Sequence, residues 1–82
     1  MTWLVAWSDR AERTWKSLPP RDAKIIATAA VAFTERGEGR FELASREPAI
    51  SGVLFVGRYE LFLVIDEAES TVRVLWMRRA SR

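Results

Sequence analysis

Residues 53–79, VLFVGRYELFLVIDEAESTVRVLWMRR, constrain the fold more than any other stretch, because two tight connections divide them into three apolar runs. Val53 to Val56 is apolar, Gly57-Arg58 is a two-residue connection of the Gly-X kind that suits a type II′ hairpin turn, and Tyr59 to Ile65 resumes the apolar run. The chain turns again through Asp66-Glu67-Ala68-Glu69-Ser70. Val72, Val74 and Trp76 then alternate with Arg73, Leu75 and Met77, a period of two that predicts a strand leaving the core at Arg78-Arg79. Three consecutive strands with short turns predict an antiparallel meander.

The front of the chain supplies the other layer. Trp3 to Trp7 is a short apolar strand, and Ser8-Asp9 offers a helix N-cap with Glu12 three residues after Asp9, the spacing of a capping box. Ala11, Trp15 and Leu18 recur at i, i+4 and i+7, so a helix is expected over about residues 9–18. Pro19-Pro20 stops it, and because proline is tolerated in a first helical turn a second helix is expected over about 20–36. Gly37 is its natural terminator. From Glu38 to Ile50 two glycines and a proline break any period, so a loop is expected, with at most one helical turn or a short strand around Phe41 to Leu43. The expected fold is α+β, in one domain spanning 1–82: an N-terminal strand, a helical hairpin, and a three-stranded antiparallel meander that the first strand joins at one edge. The four tryptophans are most simply core or interface bulk.

Composition limits the chemistry. The absence of cysteine and histidine removes thiolate and imidazole metal ligands and the commonest general base, so no metal or cofactor is expected and chemistry falls to Arg, Lys, Glu, Asp, Tyr or Ser. The longest uncharged stretches, Ile25 to Thr34 and Pro48 to Gly57, are too short to cross a bilayer, and the N-terminus lacks the basic region of a signal peptide. Residues 73–82 hold four arginines and no acid while the chain nets +2, which leaves the first 72 residues near −2. A cationic end on a nearly balanced chain points to a local anion site. At this size a folded chain buries roughly 60–65% of its unfolded surface, so a partner that completes the fold is expected.

The opening VAWSDRAERTWKSLP, the long second helix, the GRYELFLVID strand and the closing VRVLWMRR strand together resemble the RelE/ParE superfamily of bacterial toxins from type II toxin–antitoxin pairs. The resemblance implies the same strand–helix–helix–sheet fold, a cytoplasmic protein wrapped by a cognate antitoxin, and one of two activities. The first is ribosome-dependent, metal-independent mRNA cleavage; the second is non-enzymatic inhibition of DNA gyrase. An inactive remnant that still binds antitoxin is a third state compatible with it. A second copy of the chain is the other candidate partner.

Cleavage by 2′-OH attack needs a group to take the hydroxyl proton, cations against the charge building on the phosphate, and an acid for the leaving oxygen. Arginine serves the second role, since its planar fork binds phosphate bidentately while its pKa above about 12 bars proton transfer. Arg78 and Arg79 match the family's basic pair at the end of the last strand, and period two sets them on opposite faces. Arg58 neighbours the hairpin turn. Glu42, in GRFEL, stands about where some RelE-like nucleases carry a catalytic glutamate and is the expected proton acceptor. The sequence departs from the nuclease pattern in three places. Glu60 follows the strand tyrosine where an arginine is usual, SGVLFVG lacks the usual lysines, and no C-terminal His or Tyr supplies the acid.

Overall fold

Ser8 makes the first junction. The computed structural model describes residues 3–80, and in it β1 (Leu4–Trp7) ends at Ser8, whose extended backbone caps α1 (Asp9–Lys16). Its hydroxyl oxygen accepts from the Ala11 N–H at 3.0 Å and donates to the Leu75 carbonyl at 2.5 Å, so one side chain closes the helix start and ties it to the last strand. The expected Asp9–Glu12 capping box does not form. The cap lies one residue earlier, and Glu12 turns instead to Lys16, one helical turn on, at 3.7 Å. The helix also stops at Lys16, short of Leu18, where the Ser17 N–H returns to the Thr14 carbonyl.

Helix α2 (Pro20–Arg36) begins on proline, whose missing N–H costs nothing in a first turn, and ends on Gly37 at φ +70°. That left-handed residue donates to the Phe33 carbonyl at 2.8 Å. Trp15 Nε1 donates to the Ala23 carbonyl at 2.8 Å and fastens the two helices to each other. Ala11 from α1 and Ile26 and Ala30 from α2 are buried against the sheet.

The sheet has five strands in the order β1-β5-β4-β3-β2, with β2 (Arg40–Ser45), β3 (Ile50–Val56), β4 (Tyr59–Asp66) and β5 (Thr71–Arg79) antiparallel in sequence and β1 parallel to β5 at the edge. Leu54, Leu61, Leu63, Val72, Val74 and Met77 fill the face under the helices. The meander and the edge position of β1 follow the expectation. The 38–50 loop does so only in part: the short strand allowed around Phe41 to Leu43 is present, runs over residues 40–45 and pairs with β3 as a fifth strand. Gly52 makes that pairing possible, because a Cβ there would collide with the Glu42 carbonyl and come within 2.6 Å of the Phe41 ring. Phe41 uses the space to lie 5.0 Å from Phe33 of α2.

Two turns set the register of the core. In the Gly57-Arg58 connection only Gly57 has positive φ, at +55°, the signature of a type II′ turn, and Val56 pairs with Tyr59 as that turn requires. Between β4 and β5 the register slips: Phe62 pairs with Trp76 but Leu63 with Val74, so Leu75 is an extra residue, a β-bulge. Alternation through 72–77 is therefore interrupted. Met77, not Trp76, joins Val72 and Val74 in the core, and Trp76 emerges on the open face of the sheet.

Candidate functional site

The open face, opposite the helices, carries two rows of side chains set by register. One row crosses β2 to β5 as Arg40, Phe55, Glu60 and Arg78, and the next as Glu42, Val53, Phe62 and Trp76. Glu60 Oε1 accepts from Arg78 Nε at 2.9 Å, and Glu42 Oε2 accepts from Arg40 Nη2 at 3.1 Å. Farther along, Arg73 Nη2 lies 3.5 Å from Asp66 Oδ2. The aromatic side chains stand between these pairs. Phe62 and Trp76 are stacked with ring centroids 5.3 Å apart and planes 6° from parallel. The Arg78 guanidinium lies 5.2 Å from the Trp76 ring and that of Arg40 4.9 Å from Phe55, both within cation–π reach.

The four residues singled out in the sequence divide between two faces. Arg78 and Glu42 are on the open face, three strands apart, which at about 4.8 Å per strand is roughly 14 Å and too far to share one phosphate. The carboxylate beside Arg78 is Glu60, whose side chain is only 16% exposed while that of Arg78 is 68% exposed. Glu60 thus fixes the Nε edge of the guanidinium and leaves its Nη groups toward solvent. Arg79 falls on the helix side, paired across the strands with Tyr59.

Arg58 joins that second group. A cleft of about 340 Å³ is lined by Arg21, Asp22 and Ile25 of α2 and by Val56, Gly57, Arg58 and Tyr59 of the β3–β4 hairpin. The Tyr59 hydroxyl donates to Asp22 Oδ2 at 2.6 Å. This bond, with burial, raises the tyrosine pKa above its ordinary value, and the positive charges of Arg79 and Arg58 oppose the rise. Arg82, the fourth arginine of the closing segment, lies outside the described residues. Among the described residues no group of three or more Asp or Glu is placed to hold a metal ion, and no helix is long and apolar enough to cross a membrane.

Sequence reasoning missed the aromatic strip and Arg40. Of the four tryptophans read as core or interface bulk, Trp3, Trp7 and Trp15 pack on the helix-side core, with Trp7 6.1 Å from Trp15, while Trp76 stands on the open face. The two-residue turn could have revealed half the strip, because it fixes Phe55 opposite Glu60 and Val53 opposite Phe62. The Trp76 half depends on the bulge.

No family model and no curated protein matches the sequence. Solved structures do match. A chain of the toxin–antitoxin complex RelBE2 from Mycobacterium tuberculosis superposes with a TM-score of 0.79 at 25% identity, over 98% of this chain and 93% of that one. The isolated E. coli RelE toxin gives 0.76 at 17% identity, over 99% and 87% of the two chains. A chain of the archaeal RelE–RelB complex from Pyrococcus horikoshii OT3 gives 0.79 at 13%, over 100% and 99%. Over nearly its whole length, therefore, the N-terminal strand, two helices and mostly antiparallel five-stranded sheet of this chain have the fold of the RelE toxins in these structures.

Proposed function

We propose that the chain is the toxin of a type II toxin–antitoxin pair, held by a cognate antitoxin and acting in the cytoplasm as a ribosome-dependent mRNA endonuclease. The toxin and antitoxin roles rest on the neighbours, which are RelE proteins alone or in complex with RelB. The cleavage role rests on one observation, the Arg78–Glu60 pair on the open face. Arg78, anchored through Nε, offers its outward Nη groups to two oxygens of a scissile phosphate and so opposes the charge that builds there. Glu60, adjoining the same phosphate position, is the carboxylate able to take the 2′-hydroxyl proton. Glu42, paired with Arg40 on the far strand, flanks the RNA rather than the reacting atoms. Arg58 and Arg79 contribute positive charge from the helix side.

The test follows mRNA on translating ribosomes with, in parallel, DNA supercoiling by gyrase. Arg78→Ala should lower cleavage about ten- to a hundredfold, the loss expected for a charge-assisted phosphate contact of about 1.5–3 kcal/mol, whereas Arg79→Ala should keep most of it. Arg78→Lys recovers only part, because a point charge lacks the fork. Full cleavage by Arg78→Ala refutes the site assignment. If the unmodified protein cleaves no mRNA but blocks supercoiling, the gyrase-inhibitor reading replaces this one.

A further inference from the structure

On the helix side, away from the open face, the hairpin cleft gathers groups that the fold does not use. Arg21 enters it from the first turn of α2 and Arg58 from the β3–β4 turn, and among the described residues neither has an ion-pair partner. Arg79, across the strands from Tyr59, brings a third unmatched guanidinium to the same side. The cleft is not simply cationic. Val56 and Ile25 line it too, and Ile25 is a large aliphatic side chain that the core leaves 49% exposed. From Ile25 the cleft runs on into a shallow groove of about 420 Å³ along α2, beside Lys24, Thr28 and Ala29.

Asp22 completes the lining and narrows the class of ligand. The Tyr59 hydroxyl fixes its Oδ2 at 2.6 Å, which leaves Oδ1 as an acceptor toward the cleft. A fixed carboxylate among the arginines repels a polyanion, and RNA brings a charge with every nucleotide and no aliphatic group for Ile25. A peptide supplies what each wall lacks: carboxylates for the forked guanidiniums, an aliphatic side chain for Ile25 and a backbone N–H for Asp22. We infer that the cleft is the docking site for an acidic, partly apolar segment of a partner protein, with carboxylates on Arg21 and Arg58 and an aliphatic side chain on Ile25. The inference rests on the toxin–antitoxin reading above, which makes that partner the antitoxin, and adds where and by what chemistry it is held. A bound acid also cancels the unmatched charge of this end of the molecule, so the antitoxin weakens attraction to RNA without touching Arg78.

The experiment titrates the isolated protein into four fluorescently labelled probes: a blocked twelve-residue peptide of glutamate and leucine, the same peptide with glutamine for every glutamate, the same with serine for every leucine, and an eight-nucleotide single-stranded RNA. The glutamate–leucine peptide should bind at least about tenfold more tightly than the other three, and its affinity should fall as salt rises. Arg21→Ala together with Arg58→Ala should weaken it about tenfold and Ile25→Ser about fivefold, whereas Arg46→Ala, at the opposite end of β3 and β4, should leave it unchanged. The substituted side chains are exposed, so circular dichroism should report the parent fold; should the double variant fail to fold, Ile25→Ser and the four-probe comparison decide. Equal binding of the glutamate and glutamine peptides, equal binding of the leucine and serine peptides, no binding of any peptide, or full affinity in the double arginine variant overturns the inference. RNA that binds more tightly than the peptide and weakens in the same double variant also overturns it and makes the cleft a phosphate site. Activity is assayed apart. A protein that cleaves mRNA on ribosomes but binds no peptide keeps the toxin reading and loses the cleft, and one that binds the peptide but neither cleaves mRNA nor blocks gyrase keeps the cleft and loses the toxin reading.

Discussion

Replacing Gly52 by alanine tests how the fifth strand is held. Gly52 sits in β3 between Leu43 of β2 and Leu63 of β4, on the face that the helices cover. An added Cβ meets two obstacles: the Phe41 ring, 2.6 Å from its Cζ, and the backbone carbonyl of Glu42, closer still. A ring can swing aside, but a carbonyl moves only if β2 moves. Overpacking of this kind costs about 1–3 kcal/mol, and with a backbone atom involved the upper end applies. Alanine also stiffens the unfolded chain and returns about 0.4–1 kcal/mol. The net loss is about 2 kcal/mol, which for a domain of this size lowers Tm by about 8–16 °C. Scanning calorimetry of Gly52→Ala measures it. Phe41→Ala added to Gly52→Ala should relieve the ring collision and leave the carbonyl one, so the pair should couple without full recovery. If Gly52→Ala matches the parent in Tm, or exceeds it through the entropy term alone, β2 is not pressed against Gly52 and the account of the edge strand fails.

Ser8→Ala removes both the cap of α1 and the donor to the Leu75 carbonyl, so it should cost about 2 kcal/mol, read as a lower urea midpoint with unchanged slope; a loss under about 0.5 kcal/mol would show that neither bond matters. Tyr59→Phe tests the bond to Asp22 through pH. Because the folded-state pKa of Tyr59 is raised, its contribution is fully present below about pH 10, the unfolded value, and is lost as pH climbs through the folded value. The parent should therefore lose stability relative to Tyr59→Phe as pH rises above about 10, and a difference that stays constant there would contradict the bond.

Features settled by near neighbours were legible in the sequence. Proline at the start of α2, Gly37 at its end and the Gly57-Arg58 hairpin each follow from one or two residues whose backbone preferences leave little choice. Strand β2 was legible only as an alternative around Phe41 to Leu43, because the alternation of Arg40, Phe41, Glu42 and Leu43 is too short to fix a strand, and of Arg40–Ser45 only Phe41 is partly covered. The bulge was hidden for a different reason. VRVLWM alternates well enough to look unbroken, and only the partner strand shows that Leu75 is the extra residue. The candidate site inherited both gaps. That Arg78 and Arg79 point to opposite faces could be read from period two, but which face each takes could not. Glu60, noticed in the sequence as a departure from the nuclease pattern, became the partner of Arg78 only once the β4–β5 register was known.

The bulge decides where the charge of the chain resides. By shifting the phase of β5 after Val74, it places Arg78 with Trp76 on the open face, where Glu60 meets it, and Arg79 with Met77 on the helix side. There Arg79 faces Tyr59, near Arg58 and Arg21, and among the described residues none of these three arginines has an ion-pair partner. Asp22, the acid of that cleft, is engaged by the Tyr59 hydroxyl. Unmatched positive charge therefore collects at the hairpin end of the helix side, while the sheet face is neutral and aromatic. Long-range attraction to a polyanion is a property of unmatched charge and acts over about a Debye length. On the RNA-directed reading proposed above, an RNA surface would therefore be met first by the arginine cluster of the helix side, and only at contact by Arg78 and Glu60 on the open face.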